Sequence, residues 1–103
     1  MNVFSKETIL EIAERDYYSC VLCGNQDSLE RYPHHAFYKS EYYKNDRNEA
    51  WNGVCICMKC HRKIHFEGDK QRELTCKSIA LSRYQGKYRI ELERIVKQKS
   101  YDK

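Results

Sequence analysis

Apolar residues recur along this chain in short stretches of helical or alternating period, separated by polar turns. Ile9, Ile12 and Ala13 fall at helical spacing behind Ser5, whose hydroxyl suits a helix start, and Glu7 lies in the favourable first turn. The pattern predicts a helix over about 6–15. Its other face carries Glu11 and Glu14, which repel a polyanion, so that face is expected to turn away from one. Tyr17 to Leu22 reads as a short strand or extended segment. Leu29 to His35 reads as a strand that Pro33, near its end, keeps from a central position. Val54 to Ile56 makes a further short strand. Helical spacing returns from Cys57 to about Phe66, with Gly68 as the stop, and again over about 70–84 behind Asp69. Past a break at Gln85-Gly86, Tyr88, Leu92, Ile95 and Val96 line one face of a last helix.

Between the later strands lies a loop, Ala36 to Trp51. It interleaves Phe37, Tyr38, Tyr42, Tyr43 and Trp51 with Lys39, Lys44 and Arg47. Loops of this length in compact domains are either functional or anchored by their own side chains. Packing over the core is the expected role of Trp51 and of Tyr38, Tyr42 and Tyr43; bonding phosphates or stacking on bases is the alternative for the tyrosines.

Composition narrows this picture. Charged residues make up 33% of the 103 positions, too many for a large apolar interior, yet six cysteines and nine tyrosines set the chain apart from disordered sequences. One small domain is expected, held by something besides its core. The N-terminus lacks a signal-peptide pattern and no apolar run approaches membrane-spanning length. A cytoplasmic location without a membrane partner is therefore expected, where paired cysteines act as metal ligands more than as disulfides. The net charge of +4 is uneven: 12 basic and 12 acidic residues cancel through Ser82, and seven basic against three acidic follow. That excess suits a polyanionic partner, and equally a solvated helix end.

Cys20-x2-Cys23 and Cys57-x2-Cys60 have the spacing at which adjacent thiolates share one zinc ion. Four thiolates leave no open coordination position, so such a zinc is structural and contributes folding energy. Cys55-x-Cys57 offers an alternative pair, but Cys57 and Cys60 mirror the first; Cys55 and Cys76 are expected to be plain buried cysteines. All four histidines fall between positions 34 and 65. His61 and His65, four apart on a predicted helix, project from one face and can share a metal, while His34 and His35 end the preceding strand.

Cys20-Val-Leu-Cys23-Gly24, Tyr32-Pro-His34-His35, Trp51-Asn52 through Cys57-Met-Lys-Cys60-His61, and His65 together resemble the HNH endonucleases, the ββα-metal or His-Me finger family. The letters H, N and H fall on His35, Asn52 and His61. The likeness spans a little under half of the chain. It implies a small α+β fold: a ββα-metal core over about 17–68 with a four-cysteine zinc knuckle, an N-terminal helix, and a basic helical tail over about 69–103, in one domain of residues 1–103.

The resemblance further implies a metal-dependent endonuclease that hydrolyses DNA phosphodiester bonds, nicking one strand or cutting two. His35 would be the general base that activates water; His34, His61 and His65 would hold one catalytic divalent ion (Mg2+, Mn2+, Ni2+ or Zn2+). Asn52 would hold the loop that orients the base. An exchange of roles between His34 and His35 stays open. Many relatives carry Asp at the position of His34; an all-imidazole set favours transition metals. Lys39, Lys44, Arg47, Arg62, Lys63, Lys97 and Lys99 are candidates to grip double-stranded DNA. A homodimer or a partner in phage packaging or other DNA processing is also compatible. Two alternatives stand beside this reading: a zinc-stabilised DNA-binding or adaptor module without catalysis, and an RNA-cutting toxin-like nuclease.

Overall fold

The computed structural model describes residues 3–101. The elements run α1 (Lys6–Arg15), β1 (His34–His35), two short 3-10 turns (Asn45–Asn48 and Ala50–Asn52), β2 (Gly53–Val54), α2 (Met58–Phe66), α3 (Lys70–Arg83) and α4 (Arg89–Tyr101). This is a small α+β protein in which two antiparallel strands precede helix α2. No helix among the described residues is long and apolar enough to cross a membrane.

The helix starts follow their caps. Ser5 Oγ accepts the Thr8 amide at 3.1 Å, and Asp69 Oδ1 accepts the Arg72 amide at 3.0 Å. Cys57 caps α2 with its sulfur, 3.4 Å from the Cys60 amide, so a candidate metal ligand also starts the helix that carries His61 and His65. Gly68, at φ +63°, stops the chain's helical course after α2.

The strands differ from expectation. Residues 17–22 form turns, with Tyr17 and Tyr18 both left-handed at φ 56° and 50°. The predicted strand from Leu29 to His35 is divided: Leu29 pairs with Cys57 as an isolated bridge, and only His34 and His35 form a ladder, opposite Val54 and Gly53. Pro33 lies at the break, and with no amide to donate it cannot join the two pairings. The predicted strand at Val54–Ile56 shifts correspondingly, to Gly53–Val54.

Gly53 is a requirement of packing. A Cβ there would overlap Ile12 Cδ1 and touch Phe4, so α1 lies against β2 only over a bare backbone. The other side of the molecule is closed by α3 and α4. Cys76, Ala80, Tyr84 and Leu92 join Phe37, Tyr42, Trp51, Val54, Ile56 and three of the knuckle cysteines in one core, so the C-terminal helices complete the interior.

The aromatic loop is anchored by its own side chains, through Asp46. Its carboxylate accepts Tyr42 OH at 2.6 Å and Tyr84 OH at 2.8 Å, and its carbonyl accepts Trp51 Nε1 at 2.8 Å. Beneath the same loop, the fully buried Lys77 donates to the Ala36 carbonyl and to Glu41, each at 2.6 Å. Tyr43 stands apart from this packing, exposed to solvent.

Candidate metal centre

Among the described residues, two side-chain groups have the composition and proximity of metal sites. Ligand atoms of Cys20, Cys23, Cys57 and Cys60 lie within 4.8 Å of one another, as do those of His34, His61 and His65.

In the first group, Cys23 Sγ and Cys57 Sγ are 3.6 Å apart, near the ~3.8 Å between sulfurs around a tetrahedral zinc with bonds of about 2.3 Å. Gly24, left-handed at φ +79°, turns the chain after Cys23. Burial alone would push the Cys20 thiol up, but the amides of Cys57, Cys23 and Leu22 aimed at it outweigh that and bring its pKa down to about 7. That shift favours the thiolate, the form that ligates metal. Cys60 goes the other way, pushed up to about 12 by burial. Cys55 and Cys76 are buried outside the group; their thiols are raised by burial and suit packing.

The second group joins β1 to α2. His61 and His65 stand one turn apart on the helix, with ring centroids 4.5 Å from each other and each 5.4 Å from His34. His34 Nε2 is buried with no hydrogen-bond partner. Burial first, then the charges of His61, His65, Lys77 and His35, bring its pKa down to about 3. A neutral imidazole with an unused buried nitrogen, facing two more imidazoles, is the donor set a borderline-soft divalent cation selects. His61 is oriented by Glu30, whose Oε2 accepts from Nδ1 at 2.7 Å and leaves Nε2 free. This carboxylate–imidazole pairing is a usual support of a metal ligand.

His35 lies outside that group. Its ring stacks on Phe4, centroids 3.9 Å apart and 10° from parallel, and its Nε2 donates to Asn48 Oδ1 at 2.9 Å. The tautomer this selects leaves Nδ1 as a proton acceptor. Burial lowers the His35 pKa; the Asn48 bond opposes the shift and the charge of Arg47 adds to it. Asn52, fully buried, accepts the Phe37 amide at 2.8 Å and donates to the carbonyls of Phe37 at 3.1 Å and Arg47 at 2.9 Å. It therefore holds the turn from which Asn48 reaches His35.

These groups open into one cleft of about 300 Å3, lined by Pro33, His34, His35, Tyr38, Lys39, Arg47, His61 and His65. Of the basic candidates, only Lys39 and Arg47 line it. Arg62 is exposed on α2 and Lys63 half-buried there. Lys44 and Lys99 line a separate groove along α4, Lys44 over the Tyr88 ring and Lys99 paired with Glu41 at 3.5 Å and Glu73 at 4.0 Å. Lys97, exposed on α4, lines a further shallow groove. Of the seven cations, two line the histidine cleft, two stand on α2 and three line grooves along α4.

Sequence reasoning passed over Glu30, Asn48 and Lys77. Glu30 and Asn48 stand 31 and 13 positions from the histidines they bond, and no local spacing marks such pairs. No protein-family model, curated protein or solved structure matches the chain. Its class rests on its own geometry: a small α+β protein with a four-cysteine cluster and a three-histidine centre.

Proposed function

We propose that this protein is a divalent-metal-dependent phosphodiesterase, an endonuclease of the HNH type acting on DNA. One observation carries the reading: four histidines share a cleft but differ in situation. His34, His61 and His65 converge on one point, while His35 keeps a separate nitrogen free and an amide behind it. Three potential ligands beside a separate potential base is a division of labour suited to metal-assisted hydrolysis of a phosphodiester. The succession of β1, β2 and α2, with His35, Asn52 and His61 in order, agrees with the resemblance drawn from the sequence.

His35 takes the proton of the attacking water at Nδ1. Its lowered pKa keeps it unprotonated at neutral pH, and the Asn48 bond holds the required tautomer. Asn52 fixes the turn behind it. His34, His61 and His65 would hold a divalent ion, which supplies polarisation of the phosphate and neutralisation of developing charge. Glu30 keeps the His61 ring turned toward that point. The four cysteines would hold a zinc ion that ties the 20–24 knuckle to the start of α2 and carries no chemistry.

The test is cleavage of supercoiled plasmid and of labelled single-stranded DNA and RNA, with magnesium, manganese, nickel or zinc, a chelator control and a His35→Ala variant. Plasmid nicking or linearisation that His35→Ala lowers by about a hundred- to ten-thousandfold is the expected result, best with a transition metal. Cleavage confined to RNA would replace DNA as substrate. If no metal supports cleavage of any nucleic acid, a non-catalytic zinc-stabilised module takes its place.

A further inference from the structure

The cleft contains a cation that its own walls leave unneutralised. Arg47 sits on the 45–48 turn, only 7% exposed, and lines the cleft together with His35 and Lys39. Its Nε is buried without a hydrogen-bond partner. None of the ion pairs among the described residues includes it. Other cations in this fold are treated differently: Arg15 and Arg83 clasp Asp16 at 2.9 and 3.0 Å, and the buried Lys77 reaches Glu41 at 2.6 Å. The neighbouring carboxylate, Asp46, is turned instead to two tyrosine hydroxyls.

A largely buried arginine without a counter-ion, one guanidinium N–H of which has no acceptor, is costly. The fold nonetheless holds it in place, with the Arg47 carbonyl accepting from Asn52 at 2.9 Å and its amide donating to the Lys44 carbonyl at 3.2 Å. A stability cost maintained at the wall of an open cleft points to a missing partner that enters from solvent. The missing charge is negative, and a planar fork of donors fits two oxygens of a tetrahedral oxyanion.

We infer that Arg47 anchors a phosphate subsite, in which a backbone phosphate of the substrate supplies the absent counter-ion beside His35, with the exposed Lys39 at the mouth. The inference deepens the nuclease reading and rests on it for the identity of the phosphate as a diester. The guanidinium does two things there. It neutralises a phosphate whose oxygens bear on the cleft, and it fixes how far that phosphate sits from His35. Lys39, exposed to water, contributes a screened and weaker attraction.

The test reads the Arg47 Nε–H resonance by nitrogen-15 NMR, assigned by its disappearance in Arg47→Lys. Inorganic phosphate and the dinucleoside monophosphate thymidylyl-thymidine are titrated in at constant ionic strength, against chloride. The titrations are repeated in His61→Ala, which disables the three-histidine centre as an alternative phosphate binder. The expected result is a saturable shift of the Nε–H signal with both probes, in parent and His61→Ala alike, and at least tenfold weaker binding by Arg47→Lys. Arg47→Met should melt above the parent in phosphate-free buffer and lose the rise in Tm that phosphate gives the parent. A signal that neither probe moves, or undiminished binding by Arg47→Lys and Arg47→Met, overturns the subsite. A shift with inorganic phosphate alone overturns the diester assignment. Phosphate binding at Arg47 without cleavage of any nucleic acid would keep the subsite and remove the nuclease, whereas cleavage with a silent Arg47 would do the reverse.

Discussion

Asp16 closes the end of α1 with both carboxylate oxygens bonded. Arg15 Nε reaches it at 2.9 Å, Arg83 at 3.0 Å and the Cys55 amide at 3.0 Å. Burial alone would raise its pKa, but the Arg15 and Cys55 bonds and the charges of Arg15 and Arg83 outweigh it, so the net shift is downward from 3.8. A folded pKa below the unfolded one means that the ionised carboxylate stabilises the fold above about pH 4 and loses that contribution as pH falls through its lower folded value. Asp16→Asn should cost about 2–3 kcal/mol at neutral pH, the scale of charge-assisted bonds lost beside two arginines. Urea midpoints of parent and variant, measured from pH 7 downward, should converge in acid; a constant gap would contradict the ionic role. Glu30 makes a prediction about the metal. Glu30→Ala should weaken binding at the histidine centre roughly 10- to 100-fold, read by competition titration, with the cysteine zinc retained.

Among the elements, α1 ends in an unusual way for its residues. The Tyr18 amide bonds the Ala13 carbonyl at 2.9 Å and the Tyr17 amide bonds the Glu14 carbonyl at 3.1 Å, the two reciprocal bonds of a glycine-type helix stop. Tyrosine occupies both left-handed positions, where a β-carbon is strained by about 1–2 kcal/mol. Tyr17, largely exposed, gives no packing in return. Tyr17→Gly should therefore raise stability by about 0.5–1 kcal/mol, the relief being reduced by glycine's greater freedom in the unfolded chain. Chemical denaturation checks it, and a loss of stability would show that the tyrosine ring has a contact role. No glycine marks this turn, which is why the segment reads as extended from sequence. The ends of α2 and α3 were legible, because Cys57, Gly68 and Asp69 act within a turn of their own position.

For the molecule as a whole, the two candidate metal groups bear unequal shares of the fold. Cys20, Cys57 and Cys60 lie within the same core as Trp51, Tyr84 and Leu92, so an ion held there would be part of the interior's support. His61 is half-buried beside the open cleft. Cys57→Ser should lose about one zinc per chain and unfold the protein, since binding free energy at a structural site is folding free energy. His61→Ala should keep that zinc and the folded circular dichroism spectrum while losing the second metal. Elemental analysis with thermal denaturation separates the two; a folded, zinc-free Cys57→Ser protein would show that the core stands without the cluster.

Local chemistry in the chain determined the helix starts, the two CxxC pairs and the one-turn spacing of His61 and His65, because each depends on residues within a few positions. The cluster of four cysteines joins segments more than thirty residues apart, yet remained legible because thiolate spacing within each pair carries the signal. Only the tertiary structure decided the rest. It cut the strands to two residues at Pro33, set α1 against Gly53, and separated Lys44, Lys97 and Lys99 from the cleft. It supplied Glu30 to His61 and Asn48 to His35 from distant segments. It also buried Arg47 without a partner, which charge counting along a sequence cannot reveal, since burial and pairing are properties of what the folded chain brings alongside a residue. The opposite ends of that scale meet at His34: its place before His35 is written in the sequence, but its unpartnered nitrogen exists only once β1 and α2 have packed.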